Sequence, residues 1–204
     1  KPGWAEQHPA TWWQHVIIST KQIINAVKEP YEILAVGISY QMHGLVMVDK
    51  DLNPVHPSII WCDSRAVNLG NKAFEDLGSE YCLNNCLNSP GNFTASKLKW
   101  VKENLPGIYK KIFKVMLPGD FIALKLTGEI RTTVSGLSEG IFWNFKEKNL
   151  DEKLLAQVEV EPGFRVVHVP AGRVDLPKEA LPDVVDEFAD GVLERLVTAP
   201  DLDG

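Results

Sequence analysis

Two polar clusters, each standing at the end of an apolar run, dominate residues 33–65 and restrict what this chain can fold into. The first run, Ile33, Leu34, Val36 and Ile38, is continuously apolar, which predicts a strand over residues 32–38 covered on both faces. It breaks at Ser39-Tyr40 into Gln41-Met42-His43-Gly44. Residues 45–48 and 58–61 then read as a hairpin turning through Asp49-Lys50-Asp51-Leu52-Asn53-Pro54, and the second cluster, Cys62-Asp63-Ser64-Arg65, follows. Upstream, residues 11–27 carry Trp12, Val16, Ile23 and Val27 at helical spacing, with Thr11 as N-cap and Glu29-Pro30 as the stop. A helix followed by a buried strand is an α/β signal. Rigid strands that deliver hydrogen-bonding loops are what a site for a small polar ligand requires.

Size and charge narrow the function. A chain of 204 residues with 45% hydrophobic content buries a real core. A net charge of −6 and no basic stripe argue against a nucleic-acid partner, because backbone binding draws on clustered Lys and Arg. The densest basic patch, Lys110-Lys111 with Lys114, reads as a solvated helix face. No run reaches the length of a membrane span, and residues 1–13 lack the regions of a signal peptide, so no membrane partner is expected. Three cysteines, Cys62, Cys82 and Cys86, read as reduced thiols of a cytoplasmic protein.

Further along, residues 66–77 are helical in pattern and stop at Gly78, and 79–87 form a short helix or turn. Asn88-Ser89-Pro90-Gly91-Asn92 is a loop by composition, and Thr94 caps a helix that runs to Asn104. Residues 112–116 are a short strand, Pro118 opens a brief helix that ends near Gly128, and 132–145 pass from a small polar loop into an aromatic strand. Beyond residue 150 the character changes. Residues 164–169 suggest a strand and 181–197 a helix, and 151–204 are left as an unassigned tail after a sugar-binding portion at 1–150.

The stretch from Gly37 to Arg65, GISYQMHG followed by a hairpin and Trp61-Cys62-Asp63-Ser64-Arg65, resembles the sugar-binding signature of the FGGY carbohydrate kinases, specifically their xylulose kinases. Four other stretches agree in order and spacing over residues 2–148. They are Gly3-Trp4-Ala5-Glu6-Gln7-His8-Pro9 with Trp12-Trp13, Pro90-Gly91-Asn92-Phe93-Thr94-Ala95-Ser96-Lys97-Leu98, Leu117-Pro118-Gly119-Asp120-Phe121 with Leu126-Thr127-Gly128-Glu129, and Thr133-Val134-Ser135-Gly136-Leu137-Ser138. The resemblance implies part of an actin-like, ribonuclease-H-like ATPase domain of α/β class, lacking its first strands. It implies transfer of the ATP γ-phosphate, with Mg²⁺, to the terminal hydroxyl of a ketopentose such as D-xylulose.

Phosphoryl transfer is mostly positioning and electrostatics, and positioning a sugar calls for side chains with two hydrogen-bonding faces. Gln41, His43, Asp63 and Arg65 supply such a set. By the resemblance, Met42 and His43 meet the ketose, Asp63 and Arg65 border the same pocket, and Phe93 and Thr94 lie where relatives place sugar-pocket side chains. Asp63 and Arg65 also read as an ion pair that braces the loop. Gly119 replaces a family Lys ahead of Asp120, which leaves Asp120 readable as a helix-start charge. Ser135, Ser138 and Glu139 read as a solvated polar loop.

No glycine-rich phosphate loop occurs. The resemblance places the catalytic Asp and the nucleotide domain outside this chain, which is therefore expected to carry the sugar side of the site without the catalytic base. A non-catalytic carbohydrate-binding or regulatory module is the alternative from another class. A thiol enzyme pairing Cys62 with His43 is a third, and it requires the two within hydrogen-bond reach. Self-association into a homodimer stays open, since exposed apolar surface follows from truncation as readily as from a natural interface.

Overall fold

The computed structural model describes residues 1–27 and 36–160. The readings of a strand at 164–169 and a helix at 181–197 lie outside the described residues, as do positions 33–35 of the first apolar run. Residues 36–38 belong to no strand, and Val36 and Ile38 are exposed. An apolar run becomes a buried strand only when a neighbour completes its ladder, and no described residue pairs with these.

The N-terminal strand β1 (Glu6–Gln7) leads into helix α1 (Pro9–Ala26). This helix starts two residues before the predicted Thr11 cap, because Pro9 is pre-set for the first helical position and His8 takes the extended N-cap geometry. Trp13 is buried against Val46, Val48, Met116, Phe121 and Ile122, while Trp12 packs at the edge and donates from Nε1 to Gln7 Oε1 at 2.8 Å.

The predicted hairpin forms only in part. Leu45 N donates to Ile59 O at 3.0 Å and Val55 N to Met47 O at 3.0 Å. The main ladders go elsewhere: β2 (Val46–Val48) pairs antiparallel with β4 (Lys114–Met116), and β3 (Ser58–Ile59) pairs antiparallel with β1. Pro54 and Pro57 explain this, since neither has an N–H to donate to a continuous hairpin ladder. The turn itself is as read: Asp49 Oδ1 accepts from the amides of Asp51 and Asn53 at 3.0 and 2.9 Å.

Helices α2 (Val67–Leu77) and α3 (Ser79–Asn85) meet at Gly78 as predicted, and α4 (Thr94–Asn104) is followed by the turn α5 (Pro106–Tyr109). Phe93, not Thr94, is the N-cap of α4. The Thr94 hydroxyl turns away from its own helix and lies 3.5 Å from Gly44 O. Helix α6 (Pro118–Thr127) begins at Pro118 and ends at Gly128. The segment read as a polar loop holds a further short helix, α7 (Val134–Glu139), because the Thr133 side chain accepts from Gly136 N at 3.0 Å and starts it. The hairpin β5 (Trp143–Asn144) and β6 (Asn149–Leu150) leads to α8 (Glu152–Gln157).

Three apolar clusters fill the interior: one under α1 and α6, one between α4 and β2 with β4, and one joining α7, β5 and α8. The last is fixed by fully buried Asp151, which accepts from Tyr81 Oη at 2.9 Å, Asn144 Nδ2 at 3.1 Å, Cys86 Sγ at 3.2 Å and Leu154 N at 2.8 Å. A buried carboxylate with four donors is satisfied, so it ties its elements together without the cost of a stranded charge.

Loop 88–92 is held against α2 by a close approach at Gly70, where a Cβ would run into the Gly91 carbonyl. Gly70→Ala therefore sets helix propensity, which favours Ala by about 1 kcal/mol, against overpacking worth about 1–3 kcal/mol. We expect the clash to win and the urea midpoint to fall with the slope unchanged; a raised midpoint would refute the contact.

Candidate functional site

The second polar cluster is organised by charge. The Asp63 carboxylate is fully buried and accepts from the Ala5 amide, from Arg65 N and Nε at 2.9 Å each, and from Arg65 Nη2 at 2.6 Å. Arg65, its side chain 1% exposed, also places Nη1 2.7 Å from Glu6 Oε1. Its guanidinium lies 3.9 Å from the Trp4 ring centroid and 4.9 Å from that of Trp100, and the two indoles meet edge to face at 5.2 Å. Burial alone raises the Asp63 pKa, but the Arg65 hydrogen bonds and the Ala5 amide outweigh it and hold the carboxyl below its usual range. Burial likewise lowers the Arg65 pKa, and Asp63 with Glu6 reverses that. Asn92 Nδ2 donates to Trp61 O at 3.2 Å and to Asp63 O, so loop 88–92 is fastened to the same cluster.

The first cluster is a turn held from several sides. Gln41 donates from Nε2 to Gln7 Oε1 at 3.1 Å and accepts from Trp61 N at 3.2 Å, which links the two clusters directly. His43 sits at φ 59°, a left-handed conformation that costs energy for a residue with a Cβ. The surroundings hold it there. Its amide donates to Glu139 Oε1 at 3.0 Å, its Nδ1 lies 3.1 Å from Glu139 O, and its carbonyl accepts from Lys97 Nζ at 2.7 Å. Its ring stands edge-on to Phe93, centroids 4.2 Å apart. Burial lowers the His43 pKa, which keeps the imidazole neutral near pH 7.

The structure thus brings His43 and Phe93 together, with Met42 beside them and exposed. Gln41, Asp63, Arg65 and Thr94 direct their polar atoms to protein partners, and among them they connect the turn to β1, to the Trp61 backbone and to α4. Two residues that sequence reading passed over hold the turn. Lys97 is fully buried, and burial pushes its pKa down to about 8. Glu139, read as part of a solvated loop, reaches the turn from α7. A Lys amid the small residues of Pro90–Leu98 and a Glu between Ser and Gly both look like surface charges, and only the tertiary approach shows otherwise. Asp120 caps α6 by accepting from Leu117 N at 3.1 Å; burial, aided by nearby Glu139, raises its pKa to about 6.

No described group of three His, Cys, Asp or Glu side chains is placed to hold a metal. Among the described residues, no helix is long and apolar enough to cross a membrane.

This architecture is the actin-like ATPase fold of sugar kinases. The model aligns with the crystal structure of xylulose kinase from Rhodospirillum rubrum at a TM-score of 0.81, over 94% of this chain and 39% of that one, at 22% identity. Residues 1–171 match the FGGY family of carbohydrate kinases, N-terminal domain, and the chain belongs to that family. In sequence it is similar to the xylulose kinase of Staphylococcus xylosus, 34% identical over 80% of this chain and 34% of the relative. It is also similar to the glycerol kinase of Thermococcus kodakarensis, 30% identical over 78% of this chain and 33% of the relative. The chain therefore spans about a third of the length of these curated relatives.

Removing the Asp63 charge leaves the buried guanidinium with Glu6 as its carboxylate partner at the rim, so Asp63→Asn is expected to cost up to about 3–5 kcal/mol in urea denaturation. Because the folded pKa of Asp63 lies below its unfolded value, its contribution is present above about pH 4 and is lost as pH falls through the folded pKa. The acid limb of the stability profile should therefore be shallower in Asp63→Asn. An unchanged limb would assign acid sensitivity to other carboxylates.

Proposed function

We propose that this chain is the substrate-binding part of an ATP-dependent kinase that converts D-xylulose to D-xylulose 5-phosphate in the cytoplasm. Met42, His43 and Phe93 meet the ketose, while Gln41, Asp63, Arg65 and Thr94 border the pocket and hold it in shape. The observation that carries this is the His43 turn: a left-handed residue held by Glu139 and Lys97, presenting a neutral imidazole beside an aromatic edge. A pre-formed set of fixed polar groups with apolar neighbours lowers the ordering cost of binding a small polyhydroxyl ligand.

The chain's own chemical contribution is orientation. Holding the sugar by its hydroxyls places the terminal one for attack on the γ-phosphoryl group, and that positioning accounts for much of the acceleration in phosphoryl transfer. ATP supplies the transferred group and Mg²⁺ neutralises phosphate charge in the whole enzyme. Similarity to glycerol kinases makes glycerol the competing substrate.

Calorimetric titration of the chain with D-xylulose, D-ribulose and glycerol checks the reading. Saturable heat for D-xylulose that is reduced at least tenfold in affinity by His43→Ala is the expected result. Preferential heat with glycerol would move the assignment to a polyol kinase. Saturation by D-xylulose that is unaffected by His43→Ala would place the sugar elsewhere.

A further inference from the structure

A second network lies behind the turn and meets the Nδ1 edge of the His43 ring. The Glu139 carbonyl can only accept, so the 3.1 Å contact with His43 Nδ1 requires that Nδ1 carry the proton. Nε2 is then the bare acceptor. The same residue uses both carboxylate oxygens on this segment: Oε1 accepts from the His43 amide at 3.0 Å and Oε2 from Tyr40 Oη at 3.0 Å. Tyr40 reaches that position by laying its ring on Gly119 at the start of α6, where any Cβ would run into ring atoms Cδ1 and Cε1. Burial, together with the adjacent Glu139 charge, raises the Tyr40 pKa and keeps its hydroxyl protonated as the donor. The charged groups facing His43 are Glu139 from α7 and Lys97 from α4, whose Nζ holds the His43 carbonyl at 2.7 Å.

We propose that Glu139 is a positioning residue which, clamped by Tyr40 seated on Gly119, fixes His43 as the Nδ1–H tautomer and so makes the site select a ligand hydroxyl that donates its proton to Nε2. The ligand half of this rests on the sugar-kinase reading above; the tautomer and its dependence on Glu139 do not. A sugar or polyol hydroxyl meets the requirement. A ligand offering only acceptors, such as a carboxylate or a methyl ether, does not.

The test is a two-bond ¹H–¹⁵N correlation of the histidine rings in the ligand-free chain at pH 7.5, with His43 identified by loss of its signals in His43→Asn. The expected spectrum shows a protonated Nδ1 and a bare Nε2. Glu139→Ala keeps the carbonyl but removes the carboxylate that holds the His43 amide against it, so the ring should leave that carbonyl and gain the Nε2–H form, whereas Glu139→Gln, whose amide oxygen still accepts from the His43 amide, should retain Nδ1–H. Tyr40→Phe removes only the hydroxyl that donates to Glu139 Oε2; it keeps the question decidable if Glu139→Ala fails to fold, and it should give a mixture of tautomers. An Nε2–H form in the native chain overturns the proposal, as does an unchanged tautomer in folded Glu139→Ala or in Tyr40→Phe. Adding D-xylulose should then shift the Nε2 resonance. If the tautomer is as stated and saturating sugar leaves Nε2 unmoved, the ligand half and the xylulose assignment fall while the positioning role stands.

Discussion

The buried guanidinium of Arg65 is the interaction on which the arrangement of the site depends. It draws together Asp63 in the turn after β3, Glu6 on β1, Trp4 in the N-terminal segment and Trp100 on α4. An isolated buried cation would be costly, but here it has a carboxylate partner on one side, a second at the rim, and two indoles packed beside it. The same knot recruits backbone: Ser64 N donates to Gly3 O at 2.8 Å and Ile60 N to Ala5 O at 3.1 Å, so the first residues are laced to the β3 edge. Gln7 and the Trp61 amide, which reach the His43 turn through Gln41, lie within this lacing.

The opposite side is held by a different device. Lys97 brings a full positive charge under the His43 carbonyl with little solvent, and its pKa is pushed down to about 8 in consequence. The sign matters. Below about pH 8 the folded chain carries the desolvation cost of this cation; between there and the usual lysine value the unfolded chain binds more protons, so stability rises with pH across that window. The protein tolerates a destabilising group where that group helps to hold a strained residue. Glu139 and Lys97 act on the N–H and C=O sides of the same residue, so the left-handed His43 is held at both of its peptide groups.

Much of this was legible in the chain alone because its signals are local. Apolar periodicity gave α2, proline gave the start of α6, and Gly78 and Gly128 gave helix ends. What was illegible depends on partners distant in sequence. Thr94 looks like an N-cap until Gly44 offers its carbonyl from 50 residues away. The apolar stretch from 58 looks like a hairpin arm until β1 takes its ladder. Glu139 looks solvated until the turn 96 residues earlier meets it. Asp63 and Arg65 gave an ambiguous reading for a physical reason: spacing shows that two charges are near, and only burial shows whether their hydrogen bonds face a ligand or each other.

Common to these observations is a site formed before any ligand arrives. Hydrogen exchange of individual backbone amides in the ligand-free chain tests that most directly. The amides of His43, Trp61 and Ala5 each donate to a side chain across the site, to Glu139, Gln41 and Asp63 respectively. A pre-formed site predicts that all three exchange slowly, within about tenfold of the core amide of Leu45, which donates to Ile59 O. Exchange at unfolded-chain rates for His43 and Trp61, with Leu45 still protected, would show that the turn orders only on binding and would contradict the account.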